Sequence, residues 1–224
     1  METRQTGKQP PVKRRVQVKL CGLRRKEDIR IVNEVLPEYA GFILAEGRRR
    51  TVTPEKMKAL TGSLDRRIRR VAVFLNQDPE WICRLAQEDL MDVIQLHGSE
   101  SDDMIRMIRK RTGKTVIKVL RTDRKPEETE AAARACPADL ILLDHGTGGS
   151  GETFDWSLTG MIHRDFILAG GLNPENVREA IDRTHPVAVD VSSGVETGGV
   201  KDAVKVRMFI RNVRGAGFCS RFRV

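Results

Sequence analysis

The sequence predicts a single-domain α/β protein built as a closed (β/α)8 barrel, the TIM barrel. Eight short runs rich in Val, Ile and Leu alternate with longer amphipathic stretches along the chain. Most of these runs are too continuously apolar for a sheet with one face in water, so they indicate parallel strands covered by helices. Eight strands are the number that closes such a barrel, and the 224 residues fall slightly short of its typical length of about 250. An open doubly wound sheet is the alternative, but no GxGxxG motif follows the first run.

The predicted strands are the eight apolar runs themselves. In chain order they cover residues 16–20, 40–44, 71–75, 92–96, 115–120, 140–144, 166–170 and 188–192.

Helix signals fall in the intervals between these strands. Apolar residues line one side of the segment 27–36, and a serine precedes another amphipathic segment at 102–108. A cap residue followed by proline marks a helix start, because proline suits the first helical turn. Such pairs occur at Thr53-Pro54, Asp78-Pro79, Asn173-Pro174 and, less cleanly, Lys125-Pro126. Only a weak, short helix at 156–161 is predicted after the sixth strand.

Composition and charge exclude several classes of protein. No run approaches the ~20 apolar residues that cross a bilayer, and the basic N-terminus lacks the apolar segment of a signal peptide. Of the net charge of +9, residues 1–15 and 211–224 each carry +4, so the body of the chain is nearly neutral. We therefore expect a disordered basic arm at 1–15, a catalytic barrel at 16–213 and a basic tail at 214–224, with no membrane partner and no specific nucleic-acid partner.

The four cysteines are scattered and form no CxxC pair. Neither a disulfide framework nor a zinc site is indicated, which favours a reducing cytoplasm.

The loops after strands seven and eight predict a phosphate site. In a barrel of this kind the chemistry lies on loops at the carboxyl ends of the strands. Gly170 and Gly171 let the backbone approach an anion closely, and Asn173-Pro174 is expected to begin a helix whose N–H groups can bind phosphate. Ser193 and Gly194 follow the neighbouring strand and offer further donors. Two ordinary tight turns are the alternative interpretation.

Cys21 and Asp144 form a candidate acid–base pair at the ends of strands one and six. A buried cysteine is most often plain packing, whereas a carboxylate at the end of an aliphatic strand is costly to bury without a partner. The residues alone leave open whether the thiol acts as a base and the carboxyl group as an acid.

Six segments, in the same order along the chain, carry a resemblance to a known family. They are VKLCGL at 18–23, QLHG at 95–98, LLD at 142–144, GGSGETFDW at 148–156, GGLNPENV at 170–177 and DVSSGVE at 190–196. With these segments the sequence resembles the phosphoribosylanthranilate isomerase family of tryptophan biosynthesis over nearly all of residues 16–213.

The resemblance implies an Amadori rearrangement of a small phosphorylated substrate, with neither cofactor nor metal, by a monomer or homodimer. It implies that Asp144 is the general acid that opens the sugar ring and that Cys21 is the base that removes the C2′ proton. It also implies that Arg50 binds the anthranilate carboxylate, although this chain offers Arg48, Arg49 and Arg50 in a row. His97 is a further expected substrate contact.

Two other functions are alternatives to this one. The related isomerase of histidine biosynthesis usually employs two aspartates and a second phosphate site, whereas strand one here ends in Cys21 and strands three and four end in FLNQD and QLHGS. A nucleic-acid-binding module would account for the sequence pI of about 9.7, but the nearly neutral body and the lack of a binding motif oppose it.

Overall fold

The computed structural model describes residues 15–122, 125–144 and 156–215. In these residues eight parallel strands close into a barrel in sequence order, and the last strand pairs with the first. The predicted (β/α)8 barrel is confirmed. Its strands are β1 (Gln17–Cys21), β2 (Tyr39–Ile43), β3 (Arg69–Phe74), β4 (Val93–Leu96), β5 (Thr115–Arg121), β6 (Leu140–Asp144), β7 (Phe166–Leu168) and β8 (Ala188–Val191).

Helices cover the outside of the barrel. They are α1 (Lys26–Val35), α2 (Pro54–Thr61), α3 (Pro79–Gln87), α4 (Asp102–Thr112), α5 (Pro126–Ala135), α6 (Val177–Thr184) and α7 (Ala203–Arg214). Three of the predicted starts are held by side-chain caps, in which Thr53, Asp78 and Ser101 accept backbone N–H groups of the first turn. The short segment after β6 is a 3₁₀ helix, Trp156–Met161.

The predicted helix start at Asn173-Pro174 is wrong, because α6 begins three residues later, at Val177. The Asn173 side-chain oxygen accepts the N–H groups of Glu175 and Asn176, both at 2.9 Å. The Asn176 side chain in turn accepts the N–H of Asn173 at 2.9 Å. These reciprocal bonds fold residues 174–176 into a turn, so the polar residues that resemble a helix cap here build the loop instead.

The core has two layers, one inside the barrel and one between strands and helices. On β1, Val18 and Leu20 face the helices, whereas Cys21 packs with the interior residues. Because side chains alternate along a strand, Lys19 shares the interior face with Cys21. The rest of the barrel interior is filled mainly by aliphatic side chains and by the ring of Tyr39.

Some sequence predictions concern residues outside the described ones. Residues 1–14 and 216–224 hold most of the predicted arm and tail, and residues 145–155 hold nearly all of GGSGETFDW. None of the helices in the described ranges is long and apolar enough to cross a membrane. The same ranges contain no cluster of three His, Cys, Asp or Glu side chains suited to a metal ion.

Candidate active site

The Cys21 thiol lies at the carboxyl end of β1, inside the barrel mouth, and its residue is only 6% exposed. Gly41, its register partner on β2, makes room for it. A Cβ built on Gly41 would lie 2.9 Å from the Cys21 sulfur and 3.2 Å from Cε of Lys19. The thiol and the lysine stem therefore occupy the space that a side chain at position 41 would take.

A buried ion pair lies directly below the thiol. Nζ of Lys19, a fully buried residue, donates to Oδ2 of Asp190 on β8 over 2.8 Å. Burial alone would lower the pKa of Lys19, but the Asp190 carboxylate and the Cys21 sulfur outweigh it and raise that pKa above its ordinary value. Lys19 is thus a permanent cation inside the barrel.

Opposing effects act on the pKa of the Cys21 thiol. Burial raises the pKa of Cys21, the Lys19 cation acts against that rise, and the Asp190 carboxylate adds to it. The net direction of the pKa shift is upward, so the thiol is protonated at neutral pH. A thiolate in this position depends on the cations around it, because a charge in a desolvated pocket needs a partner.

Asp144 ends β6 on another part of the same mouth, and His97 is beside it. The His97 Nε2 atom lies 3.4 Å from Asp144 Oδ2, and the Gln95 side-chain nitrogen lies 3.3 Å from His97 Nδ1. The Gln95 amide group and the Asp144 carboxyl group thus contact the two different nitrogens of the His97 ring. The carbonyl of Asp144 is fixed as well, since it accepts the N–H of Thr122 at 3.1 Å.

Arg50 lies over the end of β1, next to the thiol. A Cβ on Gly22, the residue after Cys21, would come within 2.5 Å of Arg50 Cδ, and Gly22 has a positive φ of 80°. Of the three arginines, Arg48 and Arg49 are exposed, whereas the Arg50 side chain is 18% exposed. The structure thus brings Arg50 to the mouth beside Cys21.

The Arg50 guanidinium is held by Glu196, which belongs to the hairpin β9 (Glu196–Thr197) and β10 (Val200–Lys201) after β8. Arg50 donates through Nε to Oε1 and through Nη2 to Oε2, both over 2.7 Å. Lys201 adds a bond of 3.0 Å and Arg49 one of 2.8 Å. Burial alone would raise the pKa of Glu196, but the Arg50 bonds and the Lys201 charge lower it to about 2.

The two glycine-containing loops meet at the ends of β7 and β8. Gly170 and Gly171 have positive φ angles of 86° and 64°, which few other residues adopt at low cost. A Cβ on Gly194 would lie 1.9 Å from the carbonyl oxygen of Leu172, so the two backbones touch there. Ser193, exposed at the start of a short 3₁₀ helix (Ser193–Val195), lies beside this contact.

Sequence reasoning assigned no role to Lys19, Asp190, Glu196 or Lys201. The first two carried a signal, because each is the only charged residue of a mostly apolar run, VQVKL and AVDVS. The last two lie on strands of only two residues, which leave no periodic pattern.

Comparisons with known proteins point to one family. Residues 18–212 match the family model of N-(5'-phosphoribosyl)anthranilate isomerase. The isomerase of Acetivibrio thermocellus is 41% identical over 210 residues, which cover 89% of this chain and 96% of that protein. The isomerase of Thermoanaerobacter pseudethanolicus is 43% identical over 206 residues, with 89% and 98% covered.

Solved structures agree as well. The phosphoribosylanthranilate isomerase of Thermotoga maritima superposes with a TM-score of 0.81 at 40% identity, covering 89% of this chain and 99% of that one. An isomerase in complex with reduced 1-(o-carboxyphenylamino)-1-deoxyribulose 5-phosphate gives a TM-score of 0.78 at 38% identity, again covering 89% and 99%. A 3-hexulose-6-phosphate synthase, at 13% identity, shares the fold alone. On the match of its sequence and of its barrel, the chain belongs to the N-(5'-phosphoribosyl)anthranilate isomerase family.

Proposed function

We propose that the chain catalyses the Amadori rearrangement of N-(5-phosphoribosyl)anthranilate to 1-(2-carboxyphenylamino)-1-deoxyribulose 5-phosphate in tryptophan biosynthesis. The observation that carries the proposal is the buried Cys21 thiol at the same barrel mouth as Asp144. These residues end β1 and β6, which are three strands apart around the closed barrel. A sugar bound across the mouth would therefore meet a base on one side and an acid on the other.

Ring opening is the acid's step. Asp144 gives its proton to the ring oxygen while the nitrogen lone pair forms the Schiff base and the C1′–oxygen bond breaks. The carboxylate that results faces His97, whose Nε2 atom lies 3.4 Å from Oδ2. A proton on that nitrogen would stabilise the new negative charge.

Proton removal from C2′ is the base's step. Cys21 takes this proton as a thiolate, the electron pair of the C2′–H bond forms the C1′=C2′ bond, and the C=N electrons move to the nitrogen. The enolamine so formed tautomerises to the ketose. Arg50, Lys19 and Lys201 surround the thiol with positive charge and favour its anionic form. General acid–base chemistry of this kind requires neither cofactor nor metal.

Two anchors hold the substrate between these groups. The glycine-rich loop at Gly170 and Gly171, close to Gly194 and Ser193, leaves backbone accessible to the phosphate. The eight-residue helix α6 follows the first loop and directs its N-terminus towards that end of the barrel. Arg50 binds the aryl carboxylate at the opposite end of the molecule.

We further propose a cytoplasmic enzyme that acts as a monomer or homodimer on this one small phosphorylated substrate and binds no specific nucleic acid. A dimeric phosphoribosylanthranilate isomerase is known from Thermotoga maritima.

The activity is tested with freshly prepared phosphoribosylanthranilate, by following the loss of anthranilate-type fluorescence. We expect turnover well above spontaneous decay in the wild-type chain and at least about 10²-fold less in Cys21→Ala. A wild-type rate equal to the decay rate would reject the proposed reaction.

A further inference from the structure

The ion pair between Arg50 and Glu196 has a geometry that leaves part of the guanidinium available. Glu196 is contacted by Nε and Nη2, one side of the planar group. A guanidinium has five N–H groups, so the edge formed by Nη1 and the second Nη2 hydrogen can still bind another carboxylate through two parallel bonds. Glu196 therefore orients this edge without occupying it.

The charge around Glu196 favours a second anion. Arg49, Arg50 and Lys201 all lie within 3.0 Å of the single Glu196 carboxylate, which is itself 5% exposed. Three cations share one anion, so the cluster retains positive charge. An added carboxylate would be attracted to it and would not displace Glu196.

The cluster is also fixed relative to the thiol. Lys201 donates to the carbonyl of Ser192 over 2.8 Å, and the Ser192 hydroxyl donates to the carbonyl of Cys21 over 3.1 Å. At the other end, Arg50 Cδ rests over Gly22. The guanidinium is thus held at both ends against the strand that carries the base.

We propose that Glu196 is a positioning residue that holds the Arg50 guanidinium so that its outer edge receives the aryl carboxylate of the substrate. This inference rests on the proposed role of Arg50. A merely structural role, in which Glu196 fastens the β9–β10 hairpin, would affect every ligand of the site alike. A positioning role affects only ligands that carry the carboxylate.

The test compares two ligands of the same protein. One is reduced 1-(2-carboxyphenylamino)-1-deoxyribulose 5-phosphate, and the other is the same molecule with a phenyl group in place of the carboxyphenyl group. In Glu196→Gln we expect the Kd of the carboxylated ligand to rise about tenfold or more, because a displaced guanidinium loses the paired geometry. The Kd of the phenyl ligand should change less than about twofold.

Three control variants make the comparison decisive. Glu46→Gln makes the same chemical change at an exposed position of the loop that carries Arg50, and Arg48→Ala removes an exposed positive charge from it. Both should leave both Kd values unchanged. Arg50→Met should by itself raise the Kd of the carboxylated ligand and leave the Kd of the phenyl ligand nearly unchanged.

The outcomes separate the two ideas. A carboxylate-specific loss in Arg50→Met but none in Glu196→Gln would overturn the positioning role while leaving Arg50 as the anchor. If Arg50→Met keeps the wild-type affinity for the carboxylated ligand, Arg50 does not bind the carboxylate, and the positioning role of Glu196 is overturned with it. Equal weakening of both ligands by a folded Glu196→Gln protein would assign Glu196 a merely structural role and overturn the inference. If Glu196→Gln does not fold, Glu196→Asp takes its place, because it keeps the charge but retracts it by one methylene. A ratio of the two Kd values that stays at the wild-type value in Glu196→Asp would also overturn the inference.

Discussion

Gly41→Ala is a single-methyl perturbation whose effect can be worked out from the structure. The new Cβ would lie 2.9 Å from the Cys21 sulfur, 3.1 Å from the Cys21 Cα and 3.2 Å from Lys19 Cε. Ordinary non-bonded separations are about 3.5–4.0 Å, so the sulfur must move away by about 0.6–1.1 Å. The lysine stem must give way as well, and it is fully buried.

A displacement of this size acts on the rate more than on binding. Misplacing a reacting group by about 1 Å can cost about 10²-fold, so we expect kcat to fall by roughly 10- to 10²-fold. The loops that we propose for the phosphate follow β7 and β8, which β1 separates from Gly41 on β2, so the affinity for the reduced product analogue should change little. Overpacking of a filled interior should also cost about 1–3 kcal/mol of unfolding free energy.

The assay combines kcat from fluorescence loss, Kd for the analogue and thermal unfolding. Gly62→Ala is the matched control, because its Cβ would meet its nearest neighbour at an ordinary 3.6 Å. It should leave kcat unchanged. In Gly41→Ala combined with Cys21→Ala, part of the lost stability should return, because the closest clash is removed. A Gly41→Ala enzyme with normal kcat and normal stability would refute the placement of the thiol beside Gly41.

Four further outcomes are expected. Cys21→Ala should lower kcat by about 10²–10⁴-fold with analogue affinity retained, and a near-normal kcat would reduce the thiol to packing. Asp144→Asn should lower kcat by at least about 10²-fold on the ring-closed substrate, whereas a substrate analogue that is already ring-opened should restore most of the turnover. Gly171→Asn, chosen because Asn tolerates a positive φ, should raise the Kd of inorganic phosphate and of the analogue with little loss of thermal stability; an unchanged Kd would place the phosphate elsewhere. The pKa of Glu196 falls from 4.5 to about 2 on folding, so its contribution to stability is present above pH 4.5 and is lost as the pH falls towards 2. In acid-unfolding curves, the stability of Glu196→Gln should therefore fall less than that of the wild type between pH 4.5 and 2.

The fold could be predicted because its signals are local. Strands that are buried on both faces must be continuously apolar, and capped helix starts need Ser, Thr or Asp in a fixed place. The failure at Asn173 has the same origin, since an asparagine before proline suits a helix cap and a side-chain-stabilised turn equally well. The partner that decides between them is Asn176, whose reciprocal bond becomes apparent only in the folded loop.

The site could be predicted only in part, because its electrostatics are set by residues far apart in sequence. Lys19 and Asp190 are 171 residues apart and become neighbours through the register in which β1 pairs with β8. Barrel closure predicts that these strands pair, but not which residues face each other. The environment of the thiol therefore follows from a register that no local pattern specifies.

The contacts at the mouth divide the site into two parts, and this division fits the acid and base roles that we propose. Cys21 is connected through Ser192 and Lys201 to Glu196, so the thiol and the Arg50 cluster form one unit built on β1, β8 and the hairpin after it. Asp144 belongs to a second unit on β4 and β6, where it faces the His97 ring. Positive charge is thus concentrated around the thiol that we propose as the base, and this cationic cluster belongs to different strands from the carboxyl group that we propose as the acid. Opposite roles require opposite surroundings, and a closed barrel supplies them because non-adjacent strands end at one mouth while their side chains keep separate neighbours.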